Sequence, residues 1–232
     1  MGLDNIRDVR NGIDVCRKIL SSSDEEFSSR RFILDCILDF GIIPNNWALM
    51  SRFGANRNTS LFGLIQYPTE FADFLMALSR VPIESAIEIG VFRGASSYFI
   101  CSVLQRANKN VKYTMLDIED NVIAFDEFSR FLNIIPAFKK TSDDFAGQKF
   151  DFAFIDGDHS YEGVNKDIIN IGNFAKCVAF HDIYGHEYNN LNGGVVRAWR
   201  EFVQAHCMDM SIMEFSHAPE QWMGLGLAIR TD

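Results

Sequence analysis

From Ile83 onward the chain alternates short apolar runs with amphipathic stretches. The apolar runs are Ile83–Ile89, Val111–Leu116, Ile134–Lys139, Phe150–Ile155 and Lys176–Phe180, and the amphipathic stretches lie near 95–107, 120–132, 162–173 and 194–206. Strand-length runs separated by helix-length stretches predict a parallel, doubly wound, Rossmann-like α/β sheet. The tail breaks the rule. Met210–Phe215 and Trp222–Ile229 have only the loop around His217 and Pro219 between them, so they are expected as an antiparallel C-terminal hairpin completing a seven-stranded sheet.

Residues 1–80 read differently. Ile6, Val9, Ile13 and Ile19 fall near helical spacing, and Ser21–Asp24 breaks that helix. A second helix is expected to run on through Phe27, Arg31, Leu34 and Ile37 until Gly41 and Pro44 stop it, and a third from Pro68 to about Arg80. Residues 45–67 are irregular, a loop long enough to cover a site. The expectation is an N-terminal helical lobe over 1–80, capping a catalytic domain over 81–232.

Net charge narrows the partners. At −9, with only short basic clusters, the chain lacks the groove that neutralises phosphates, so no nucleic-acid partner is expected. No apolar stretch is long enough for a transmembrane helix and the first residues carry early acids, so neither a membrane partner nor a secretory signal is expected. Five cysteines without C-x-x-C spacing read as buried free thiols in a reducing compartment, and the cytoplasm follows as the default location.

The chemistry concentrates at the ends of the apolar runs. The first ends in Glu88-Ile-Gly90-Val-Phe-Arg-Gly94-Ala-Ser96, a strand leading through glycines into a helix. Such a turn turns backbone N–H groups toward a ligand. The spacing departs from the dinucleotide G-x-G-x-x-G pattern, and the carboxylate of Glu88 suits a cationic amine better than a pyrophosphate. Asp117 ends the second run, where an acid can accept both hydroxyls of a ribose or simply cap the next helix. Thr141-Ser142-Asp143-Asp144 follows the third run and reads equally as a capping box.

The densest signal is Asp156-Gly-Asp158-His159 at the end of the fourth run, with His181-Asp182 at the end of the fifth. Adjacent strands would aim all five polar groups into one space, at the end where open α/β sheets bind ligands. Crowded carboxylates need a proton or a cation between them, and carboxylates with one imidazole suit Mg²⁺ or Mn²⁺. The alternative for Asp158 is an N-cap.

Glu88-x-Gly90-x-x-x-Gly94 resembles motif I of class I S-adenosylmethionine (SAM)-dependent methyltransferases. IDGDHSYEGVNKDI followed by FHDIYG is similar to their small-molecule O-methyltransferase branch, the macrocin- and catechol-type enzymes with a domain-24-like methyltransferase. The resemblance implies a cofactor site for SAM at Glu88, Gly90, Gly94, Ser96, Asp117, Ser142, Asp143 and Asp156, with Glu88 near the methionine ammonium and Ser142 or Asp143 near the adenine amino group. It implies a divalent metal on Asp156, His181 and Asp182, and His159 as general base, with Asp156 beside it in the catalytic pair. His181 departs from the acidic residue more often found there, so it would suit a softer metal or act as a base itself. The implied reaction is O-methylation of a small hydroxylated acceptor, such as a sugar or glycoside, by a chain that could be a homo-oligomer. A non-catalytic SAM-fold binding protein and a hydroxylase on the same scaffold are the alternatives. The absence of an H-x-D…H iron triad speaks against oxidation. Asn189–Gly194 reads as a plain loop or a lid.

Overall fold

The computed structural model describes residues 3–43, 62–185, 189–217 and 223–231. The chain forms two compact units that interleave along the sequence: Met1–Pro82, Phe92–Val111 and Asn121–Ile134 in one, Ile83–Val91, Lys112–Asp120 and Ile135–Asp232 in the other.

The first unit is helical: α1 (Leu3–Ser21), α2 (Asp24–Phe27), α3 (Arg30–Phe40), α4 (Pro68–Leu78), α5 (Ala95–Ala107) and α6 (Phe125–Ser129). The single helix expected after Asp24 is two. Ser23 and Glu26 close a capping box on α2, and Ser29 Oγ then accepts from Phe32 N at 3.4 Å, starting α3 afresh. Serine competes for backbone donors and so favours starts over helix interiors. The amphipathic stretch near 120–132 yields only the short α6, whose Phe128 stacks on Tyr98 of α5 with centroids 3.8 Å apart. Helices α1 and α5 are tied at two levels. Cys16 Sγ donates to the Tyr98 carbonyl at 3.7 Å, and Arg106 donates to the Ser22 carbonyl at 2.9 Å and to Asp24 at 2.6 Å.

The second unit carries the sheet: β1 (Ser85–Ile89), β2 (Lys112–Asp117), β3 (Ile134–Phe138), β4 (Phe152–Ile155), β5 (Cys177–Tyr184), β6 (Met210–Phe215) and β7 (Met223–Arg230), in the order β3-β2-β1-β4-β5-β7-β6. β1 pairs in parallel with β2 and β4, β4 with β5, and β7 runs antiparallel to both β5 and β6. The seven strands and the antiparallel end match the sequence expectation. Trp222 lies outside the described residues, and β5 runs four residues past the expected Phe180. Pro136 on β3 lacks an amide hydrogen, which an edge strand tolerates. Helices α7 (Tyr161–Asn170) and α8 (Gly194–His206) pack with β4 and β5 around Phe180 and Trp199. Of the five cysteines four are buried, and Cys207 is exposed, against expectation, because it ends α8 rather than facing its core.

Asp151 staples the amino-terminal edge of the sheet. Its carboxylate accepts from the backbone of Glu84 and Ser85 at 2.9 Å each and pairs with Lys176 at 2.5 Å. Burial would raise this carboxyl, but the Lys176 ammonium and the two amides hold it at about 2.

At the opposite edge Gly90, with φ of 87°, passes so close to β4 that an added Cβ would stand 2.3 Å from the Asp156 carbonyl oxygen. A side chain there must push two central strands apart. Gly147 has φ of 75° with nothing within 4 Å of such a Cβ. We therefore expect Gly147→Ala to cost about 1 kcal/mol, the left-handed penalty alone, and Gly90→Ala to cost roughly 3 kcal/mol or more, read as the difference between their unfolding midpoints in urea.

Candidate active site

The strand order reverses between β1 and β4, so their carboxyl ends border the crevice in which such sheets bind ligands. The registers Ile89↔Leu116, Ile89↔Ile155 and Ile155↔Phe180 put the next residues, Gly90, Asp117, Asp156 and His181, in one row along that edge. Each belongs to the second unit.

Asp156 and His181 are thus neighbours by register. Asp182 needs more, because successive residues of a strand face opposite sides. The pairing of β5 with β7 shifts register between His181 and Tyr184, and Asp182 takes φ of 60°. This left-handed bulge turns both side chains to the same side. His181 Nδ1 lies 3.1 Å from Asp156 Oδ1 and 3.7 Å from Asp182 Oδ1. One ligand atom from each of the three residues falls within 4.8 Å of the other two, and His181 and Asp182 are buried.

His159 joins from the loop before α7. Asp158 Oδ1 accepts from Ser160 N at 2.9 Å, and Ser160 Oγ caps α7 by accepting from Gly163 N at 3.0 Å. This pair of local turns presents His159 to the cluster, with Nε2 3.5 Å from Asp156 Oδ1 and Nδ1 3.6 Å from Asp182 Oδ2. Its side chain stays 31% exposed, against 5% for His181, so an acceptor can reach it. Asp158 itself does not join the cluster, because the Ser160 amide takes its carboxylate. That corrects the expectation of five converging groups.

Electrostatics bind the four together. Burial alone would raise the Asp156 carboxyl, but the His181 and His159 imidazoles more than offset it and hold the carboxyl below its ordinary value. Burial would lower His159, yet the carboxylates of Asp156 and Asp182 raise it. Two carboxylate oxygens and one imidazole nitrogen, within 4.8 Å of one another, make a group of the kind that holds a divalent metal ion.

The other predicted residues lie as follows. Glu88 on β1 is fully buried and accepts from the Tyr113 hydroxyl at 2.7 Å. Tyr113 went unnoticed because the β1–β2 register that brings it there leaves no local trace in sequence. Asp117 ends β2, where its Oδ1 accepts from Glu119 N at 2.9 Å. Ile118 beside it is 71% exposed, an apolar surface next to that carboxylate. In the first unit, Gly94 (φ 87°) is the N-cap of α5 and Ser96 lies buried in its first turn. The capping box at 141–144 forms between Thr141 and Asp144. Ser142 and Asp143 within it are fastened to α7: Asn170 donates to Ser142 Oγ at 3.1 Å and to Asp143 at 2.9 Å, and Lys166 pairs with Asp143 at 2.5 Å. Asp143 remains more than half exposed. Residues 186–188 lie outside the described set. Of the adjoining loop, Asn192 bonds to Glu162 and Arg197.

With this geometry in place, the comparisons with known proteins fall into line. The family model described as a methyltransferase domain matches residues 87–183, from the middle of β1 to the bulge of β5. Solved structures agree on the fold. An O-methyltransferase from Bacillus cereus in complex with SAH superposes with a TM-score of 0.54 at 12% identity, over 82% of this chain and 98% of that one. The O-methyltransferase TomG from Streptomyces achromogenes, in complex with SAM, gives 0.51 at 16% identity over 100% of both chains. A putative O-methyltransferase from Klebsiella pneumoniae gives 0.50 at 14%, over 86% of this chain and 90% of that one. No curated protein matches the chain. The fold is therefore the one these O-methyltransferase structures have. No helix among the described residues is long and apolar enough to cross a membrane.

One buried acid of the second unit has a pH consequence. Asp167 on α7 lies under the 142–145 turn, and burial pushes its carboxyl up to about 6 despite a bond from Ser142, with Asp158 adding repulsion. The folded pKa exceeds the unfolded one, so the stability held by the neutral form is complete below about pH 4 and is lost as pH rises through 6. Asp167→Asn removes that loss. Its stability relative to the parent rises between pH 4 and 7 by up to about 3 kcal/mol, measured by denaturant unfolding at a series of pH values.

Proposed function

We propose that the chain O-methylates a small hydroxylated acceptor, of the sugar or glycoside kind, with His159 as the base and with Asp156, His181 and Asp182 holding a Mg²⁺ or Mn²⁺ ion. The observation that carries this reading is the meeting of His159 with that buried oxygen and nitrogen set at the carboxyl ends of β4 and β5. When bound, SAM would supply its methyl carbon to the acceptor oxygen: the new O–C bond would form in line as the C–S bond breaks, with S-adenosylhomocysteine leaving. A bound divalent cation lowers the pKa of a hydroxyl that coordinates it.

The chain's own residues do the rest. Glu88 compensates the methionine ammonium, and its bond from Tyr113 keeps the buried carboxylate in one orientation. Gly90 lets the cofactor meet backbone, and the motif continues through Gly94 and Ser96 into α5. Asp117 accepts from the ribose hydroxyls, with Ser142 and Asp143 toward the adenine amino group. His159 removes the acceptor proton through a ring nitrogen. Asp156 and Asp182 stabilise the imidazolium so formed, which is the physical content of its raised pKa. The sugar class is supported by the IDGDHSYEG and FHDIYG segments, which bring the base three residues after Asp156.

Calorimetry with SAM and S-adenosylhomocysteine, with and without Mg²⁺, tests the cofactor, and methyl transfer to a panel of sugars and glycosides tests the acceptor. We expect micromolar binding of SAM. We expect His159→Ala to keep that binding within about twofold while slowing transfer on the order of 10²–10⁴-fold. Absence of SAM binding would overturn the reading, and undiminished transfer by His159→Ala would remove the base from it.

A further inference from the structure

Glu214 lies on β6, two strands from the cluster, yet both its carboxylate oxygens are occupied. Oε2 accepts from the Tyr184 hydroxyl at 2.5 Å and Oε1 from the Trp199 indole at 2.6 Å. Tyr184 is the last residue of β5, two past Asp182. The β5–β7 ladder is in register as far as His181↔Leu225, then slips, and resumes at Tyr184↔Met223. The bulge carrying His181 and Asp182 is therefore suspended between two anchor points, and Tyr184 is the outer one.

Asp182 keeps φ of 60° in that span. A non-glycine residue holds such a conformation only where its surroundings over-determine it. The inner anchor is the core. Phe180, the residue before His181, packs on Trp199 with centroids 5.1 Å apart. The outer anchor is the Tyr184–Glu214 bond.

We infer that Glu214, acting through Tyr184, is a positioning residue for the cation-binding pair His181 and Asp182. The inference rests on the proposed metal site and extends it to a residue that touches neither metal nor acceptor. Tyr184→Phe removes one hydroxyl and leaves the ring packed. Glu214→Ala removes both bonds. Asp151→Ala removes the staple at the opposite edge of the sheet and leaves both anchors of the bulge in place, so it reports a purely structural loss.

The test is Mn²⁺ binding by electron paramagnetic resonance, with thermal unfolding alongside. We expect Tyr184→Phe and Glu214→Ala to weaken Mn²⁺ binding about tenfold, the low end of the loss when a support behind a metal ligand is removed. Asp151→Ala is expected to lose thermal stability and less than about twofold in affinity. Equal Mn²⁺ affinity in the parent and Tyr184→Phe would overturn the inference while leaving the metal site standing. So would a loss in Asp151→Ala as large as that in Tyr184→Phe. Failure of the parent to bind Mn²⁺ would overturn the metal site itself, and the inference with it.

Discussion

Two carboxylates, Asp156 and Asp182, face one imidazole nitrogen of His181 in a place largely closed to water. Like charges that close together in a shielded site require a positive partner, and much of the second unit serves to bring one there. The parallel register sets Asp156 beside His181. The bulge swings Asp182 round to join them, and the Asp158–Ser160 turn delivers His159.

The two edges of the sheet divide the labour. The amino-terminal edge is closed by Asp151, whose bonds to Glu84, Ser85 and Lys176 cross three strand starts. The carboxyl edge is left open, and its polar groups answer to chemistry rather than to packing. Gly90 marks the boundary, since the backbones of β1 and β4 meet there without room for a methyl group. That contact keeps the row from Asp117 through Asp156 to His181 tight enough to act on one ligand.

Much of this architecture was legible in the sequence. The central strands are buried on both faces and so read as continuous apolar runs. Asp156, His159, His181 and Asp182 stood out because polar groups that dense at strand ends are hard to attribute to a core. What stayed hidden was conformational or non-local. The left-handed turn at Asp182 leaves no composition signal, and without it the strand would end at Phe180, as the pattern implied. Ser29 breaks a helix that apolar spacing carries straight through. Asp158 looked like a fifth member of the cluster, but its partner is an amide two residues away. Tyr113 and Glu214 depend on pairings between strands far apart in the chain.

The central claim is that the bulge of β5 gathers Asp156, His181 and Asp182 into one cation site. Its most direct test is electron spin-echo spectroscopy of the Mn²⁺-loaded protein carrying ¹⁵N-labelled histidine. Coordination by His181 predicts a directly bonded imidazole nitrogen coupled to the manganese, absent in His181→Gln. A spectrum of bound Mn²⁺ with no nitrogen coupling, or one unchanged in His181→Gln, would contradict it.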